Sequence, residues 1–99
     1  MHFLILGYDA KDEQALERRL SVREAHIALG DKMRQRGEML YGVAMLNEEG
    51  KMCGSMLVCD FPSRSELDAY LEREPYVTGK VWSRIEVCTC KIGPSFLKP

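Results

Sequence analysis

Residues 39–61 read MLYGVAMLNEEGKMCGSMLVCDF, two runs of apolar residues divided by a polar turn. Met39, Tyr41, Val43 and Met45 alternate with Leu40, Gly42, Ala44 and Leu46. That is the period of two of an extended chain, whose successive side chains point to opposite faces. Asn47-Glu48-Glu49-Gly50 supplies turn residues, a second strand follows from Met52 to Phe61, and Pro62 closes it. A hairpin therefore occupies the middle of the chain, and what flanks it decides the fold.

Upstream, Arg19, Arg23 and His26 fall on one side of a helical projection, beside an apolar stripe of Val22, His26, Leu29 and Met33. Asp9 and Asp12 are candidate N-caps, the helical pattern reaches Arg36, and Gly37 is placed to stop it. Before this helix, His2 to Tyr8 reads as a strand with Phe3 and Ile5 on one face and Leu4 and Leu6 on the other. Downstream of the hairpin, Ser63-Arg64-Ser65-Glu66 is a capping box, and Leu67, Tyr70 and Leu71 give a second helix its apolar face. That helix ends near Glu74, because Pro75 disfavours a helical residue before it. Tyr76 to Lys80 reads as a turn and Val81 to Ile92 as the last strand, with Val81, Ile85 and Val87 on one side and Trp82, Cys88, Cys90 and Ile92 on the other. The tail from Gly93 to Pro99 reads as irregular, and its Phe96-Leu97 pair needs a surface to dock on.

The order β-α-β-β-α-β is the ferredoxin-like α+β arrangement with an antiparallel sheet, one domain over residues 1–99. Two helices cover only one face of four strands. Leu4, Leu6, Val43, Met45, Met56, Val58, Cys88 and Cys90 would then crowd the other face, for which a second copy of the chain is the simplest cover. A homodimer through that sheet face is the expected assembly.

Of the 99 residues, 45% are hydrophobic and 29% charged, and the formal net charge is -1. Nucleic-acid binding is not expected, since it calls for a basic excess gathered on one face. Phe3-Leu4-Ile5-Leu6 is too short for a signal peptide core, and no segment has the apolar length to cross a bilayer. A cytoplasmic protein without membrane attachment is the expectation. Cys53, Cys59, Cys88 and Cys90 match neither a zinc ribbon nor a CxxC pair, so reduced thiols and no bound metal are expected.

His26 lies on a seam between the apolar stripe and two arginines, an unusual address for the side chain that most readily changes charge near neutral pH. A buried histidine tied to a backbone carbonyl is the structural alternative. Together with the order of elements, the Arg23-x-x-His26 helix, the Gly42 strand, the Gly54-Ser55 strand and the Glu74-Pro75-Tyr76 turn resemble the YCII-related family over nearly the whole chain. The resemblance implies a dimeric α+β barrel, in which two ferredoxin-like subunits pack sheet to sheet. It also implies that His26 and Glu74 meet in a cleft as an acid/base pair, and it points toward isomerase-like or dehydrochlorinase-like chemistry. Two positions depart from the family pattern: Glu74-Pro75 stands where Asp-Pro is usual, and Tyr41-Gly42-Val43 where Ala-Gly-Pro is usual.

In the enzyme reading His26 moves a proton on a small cyclic, oxygenated or anionic substrate, and Glu74 fixes its tautomer. Arg23 and Arg19 would hold substrate charge with a guanidinium fork, against the alternative of a solvated helix face with i,i+4 partners, which is the favoured reading for Arg19. Ser55 would donate to the ligand, with Tyr8 and Tyr76 lining the pocket. No cofactor and no metal enter this reading. The competing expectations are a non-catalytic dimer that captures a small ligand, and a structural module in which His26 and Glu74 simply tie helix to turn. An open cleft beside His26 separates those possibilities from a packed tie.

Overall fold

The computed structural model describes residues 1–97, so Lys98 and Pro99 of the tail lie outside the described residues. In chain order the elements are β1 (His2–Asp9), α1 (Ala15–Gln35), β2 (Met39–Leu46), β3 (Met52–Asp60), α2 (Arg64–Leu71), the single-turn α3 (Pro75–Thr78) and β4 (Trp82–Cys90). The strands form one antiparallel sheet in the order β2-β3-β1-β4.

Helix formation follows local chemistry at most ends. The Ser63 hydroxyl accepts from the Glu66 N–H and starts α2. Gly37 stops α1 with φ +78°, a left-handed backbone that a Cβ disfavours. Glu74 caps α3, its side chain accepting from the Tyr76 N–H, and Pro75 occupies the first helical position. The Pro75–Thr78 segment is thus a single helical turn, overlapping the stretch from Tyr76 to Lys80 that the sequence reads as a turn. The start of α1 also differs from expectation. Its N-cap is Gln14 with no side-chain cap, while Asp12 holds the preceding turn through Gln14 N–H and the Arg18 fork. Asp9 remains in β1 and is buried.

The core lies between the helices and one sheet face. Phe3, Ile5, Leu57 and Cys59 project from the sheet to meet Met33, Leu67, Tyr70, Tyr76 and Val81. Complete burial of side chains of this size contributes roughly 1.5–3 kcal/mol each. The opposite face carries Leu4 across from Val58 and Cys88, Leu6 across from Met56, and Val43 across from Met56 on the other side. Met45 opposes Gly54, and Cys90 opposes His2, on that same face. Among the described residues no helix covers it.

The sheet is open, which corrects the barrel expectation: β2 and β4 are its two edges and are not paired with each other. Four strands cannot close, since a barrel filled by its own side chains takes about eight. Two irregularities correct the face assignments. In β2 the register shifts between Met39 and Tyr41, so Met39 opposes Cys59 on the helix side while Tyr41 opposes Val58 on the outer side. In β1–β4 it shifts between Tyr8 and Asp9, so Trp82 opposes Asp9 on the helix side and does not share a face with Cys88 and Cys90. A bulge inserts one residue and reverses the alternation beyond it.

Phe96 and Leu97 end in a short turn after β4 and remain 83% and 46% exposed, with no docking surface among the described residues. No helix among the described residues is long and apolar enough to cross a membrane.

Candidate active site

His26 reaches the site from the middle of α1 and Glu74 from the residue that caps α3, 48 positions later. His26 Nδ1 lies 2.5 Å from Glu74 Oε1. A carboxylate only accepts, so Nδ1–H donates and Nε2 is the ring nitrogen available to a ligand. Glu74 is 1% exposed, and its Oε1 also accepts the Tyr76 N–H at 3.2 Å while Oε2 accepts the Tyr70 hydroxyl. Burial and then the Glu74 charge push the Tyr70 phenol up, so Tyr70 stays a donor. The imidazole is stacked on Tyr76, with centroids 3.9 Å apart and an interplanar angle of 13°, and meets Trp82 edge-on at 6.4 Å.

Arg19 is not on a solvated helix face. It is 2% exposed, one of its amino groups donates to both oxygens of Asp9 at 2.9 and 3.2 Å, and the other donates to Ser55 Oγ at 2.8 Å. Its guanidinium carbon lies 4.5 Å above the Tyr76 ring. Burial raises the Asp9 carboxyl above its ordinary value against the opposing pull of Arg19, and likewise raises the Tyr76 phenol against Arg19 and Arg23. Ser55 accepts a second donor, the Trp82 indole N–H at 3.3 Å.

A cleft of about 310 Å³ opens beside this cluster, between α1 and the edge strand β2. Arg19, Arg23, His26, Ser55 and Tyr76 all line it, and Gly42 and Ala44 form part of its wall on the strand side. Arg23 is exposed at this opening, with no acidic partner within ion-pair distance among the described residues. Gly30 also borders the cleft, and nothing lies within 4 Å of where its Cβ would sit.

Tyr8 is not brought to the site. It projects from the outer face, where its hydroxyl donates to Glu86 and Arg84 lies over its ring at 4.2 Å. Its neighbour Asp9 points inward, because adjacent strand residues face opposite ways. Three further residues of the cluster escaped the sequence: Asp9, Tyr70 and Trp82. Asp9 read as a candidate helix cap after the first strand, whereas the other two signalled only apolar packing. Among the described residues no group of three or more His, Cys, Asp or Glu side chains is arranged to hold a metal ion.

Comparison with known proteins bears on this arrangement. The family model described as the YCII-related domain matches residues 1–91. Protein YciI of Escherichia coli O6:H1 is 31% identical over 93 residues, covering 88% of this chain and 93% of that protein, and Protein YciI of Shigella flexneri matches to the same extent. Among solved structures, 5-chloro-2-hydroxyhydroquinone dehydrochlorinase from Burkholderia phenoliruptrix AC1100, in complex with 2,5-dihydroxybenzoquinone, is similar with a TM-score of 0.81 at 23% identity. That likeness covers 96% of this chain and 98% of the dehydrochlorinase. A dimeric ferredoxin-like protein of unknown function from Jannaschia sp. CCS1 is similar with a TM-score of 0.56 at 13% identity, over 92% of this chain and 98% of the other.

Proposed function

This chain belongs to the YCII-related domain family, and from that membership we propose that it is a small-molecule enzyme using His26 and Glu74 as an acid/base pair. The observation that carries the reading is the 2.5 Å contact between His26 Nδ1 and Glu74 Oε1 at the wall of an open cleft. Nε2 takes a proton from a hydroxyl or an activated carbon of the substrate, and Glu74 compensates the imidazolium as it forms. The electron pair left behind either expels a leaving group such as chloride or recovers a proton at another carbon, giving elimination or isomerisation. Arg23, free of an acidic partner among the described residues, binds an anionic oxygen of the substrate. Arg19 is already neutralised by Asp9, so its part is to hold Ser55 and the Tyr76 ring in place.

A planar oxygenated ring is the substrate class. The cleft volume suits one ring with its substituents, and the dehydrochlorinase of the same fold was solved with a dihydroxybenzoquinone. The test is a turnover screen of chlorinated hydroxyquinols, quinols and lactones, with His26→Ala as control. General acid/base catalysis is worth roughly 10²- to 10⁴-fold, so His26→Ala should lose that much of kcat. Turnover that persists in His26→Ala overturns the proposal. Binding of a quinol without turnover by the unaltered protein reassigns the cleft to ligand capture.

The assembly belongs to the same proposal: two copies pair through the outer sheet face. Its support is the cluster of Leu4, Leu6, Met56 and Val58 on a face no helix covers among the described residues, together with the dimeric state of the similar Jannaschia protein. Val58→Lys should then give monomers or aggregate in light scattering. A monomeric unaltered chain removes this part of the proposal.

A further inference from the structure

We propose that Tyr70 is a positioning residue for the His26–Glu74 pair, its buried hydroxyl holding one carboxylate oxygen so that the other stays against the imidazole. The inference rests on the acid/base reading of the cleft and extends it to a side chain that does not line the cleft.

A glutamate carboxylate turns easily about its last torsion, which has broad, roughly two-fold preferences. The backbone under Glu74 is fixed by Pro75 at the first position of α3, and the Tyr76 N–H engages Oε1. Those contacts leave Oε2 unrestrained. Among the described residues the donor recorded on Oε2 is Tyr70, four residues earlier and one turn back along the chain. Tyr70 cannot swing aside, because it is 0% exposed and its ring is stacked on Phe61 with centroids 5.8 Å apart. The carboxylate is therefore gripped at both oxygens, by Tyr70 on one side and by Tyr76 N–H and His26 on the other.

Such a grip has a chemical consequence. A buried carboxylate with one oxygen unsatisfied would concentrate its charge there, rotate, and compete for the proton it shares with Nδ1. Tyr70 removes that competition and keeps Nδ1 protonated, so that Nε2 carries the lone pair toward the cleft.

Tyr70→Phe keeps the ring and the stack on Phe61 and deletes only the hydroxyl. Long-range proton–nitrogen NMR at one fixed pH reads the tautomer of both histidines, and His2, at the far end of the sheet, is the internal control. The unaltered protein should show His26 as the Nδ1–H tautomer with a slowly exchanging Hδ1 resonance. In Tyr70→Phe that resonance should exchange faster with water and the ring should become a mixture of tautomers, with His2 unchanged. A His26 spectrum identical to that of the unaltered protein overturns the proposal. If Tyr70→Phe does not fold, the unaltered protein still decides: a protected Tyr70 hydroxyl proton with a dipolar cross-peak to His26 Hδ1 supports the proposal, and its absence refutes it. Given any substrate found in the screen, Tyr70→Phe should lower kcat by roughly tenfold and leave KM unchanged. A purely structural tyrosine would leave both the tautomer and the ratio of kcat to KM as they were. Absence of turnover in the unaltered protein would sink the acid/base reading, whereas the NMR result stands independently of it.

Discussion

Gly7→Ala tests the packing on which the cluster depends. The Trp82 indole lies flat on Gly7, and a Cβ there would sit 2.3 Å from Cδ2, 2.4 Å from Cε2 and 2.6 Å from Cγ of the ring. Carbon atoms in contact rest about 3.5–4.0 Å apart, so the ring has to retreat by about 1.2 Å. Trp82 holds Ser55 through an indole bond of 3.3 Å, and a displacement of that size breaks it. Overpacking costs roughly 1–3 kcal/mol and a buried donor left unpaired roughly another 1–3, so a loss of about 2–6 kcal/mol is expected. For a domain of this size each kcal/mol moves Tm by about 4–8 °C. Urea unfolding followed by tryptophan fluorescence reads both effects, because Trp82 is the single tryptophan of the chain. A red-shifted native emission should accompany the earlier midpoint. An unfolding curve within about 0.5 kcal/mol of the unaltered protein, with the same emission maximum, would refute the placement of Trp82 over Gly7 and with it the route by which Trp82 supports Ser55.

Asp9→Asn leaves the Arg19 guanidinium buried without an anion; breaking such a pair costs roughly 3–5 kcal/mol, measurable as a shift in the urea midpoint. A neutral effect would mean that Arg19 is solvated after all. Gly30→Ala should stabilise α1 by about 1 kcal/mol, since nothing blocks the added methyl, while Gly30→Leu should narrow the cleft and weaken ligand binding without unfolding the helix. Stability should fall on the alkaline side. Burial pushes the Cys59 thiol from 9.0 up to about 12, so between those values the unfolded chain has lost a proton that the folded chain keeps. Stability from this group is complete below pH 9 and declines as pH rises toward 12, with a slope of at most about 1.4 kcal/mol per unit, and Tyr70 adds a decline of the same sign. Denaturation midpoints measured from pH 8 to 11 should show a shallower decline in Cys59→Ala, and an unchanged slope would remove Cys59 as its source.

The element order was legible in the sequence because it rests on local periodicity. Alternation around Asn47–Gly50 marked the hairpin, Ser63 and Glu66 marked the start of α2, and Gly37 marked the end of α1. The meeting of His26 with Glu74 was also expected, since Pro75 fixes the chain beside a carboxylate on the same side of the sheet as α1. Side-chain direction beyond a bulge was not legible. Strand parity is counted residue by residue, and one inserted residue between paired strands reverses it, which is how Met39 and Trp82 came to face the helices. Partner choice was equally hidden. Asp9 carries the composition of a helix cap and Arg19 that of a solvated helix face, and only the approach of β1 to α1 in three dimensions pairs them in the interior. Tyr70 reads as an apolar face residue, and its hydroxyl acquires a role only because α2 ends one turn before the carboxylate it meets. The sequence determined which segments extend and which coil, because those choices depend on neighbours a few residues away. The tertiary structure decided which polar groups are buried together, because a buried charge is tolerable only where a distant segment delivers its partner.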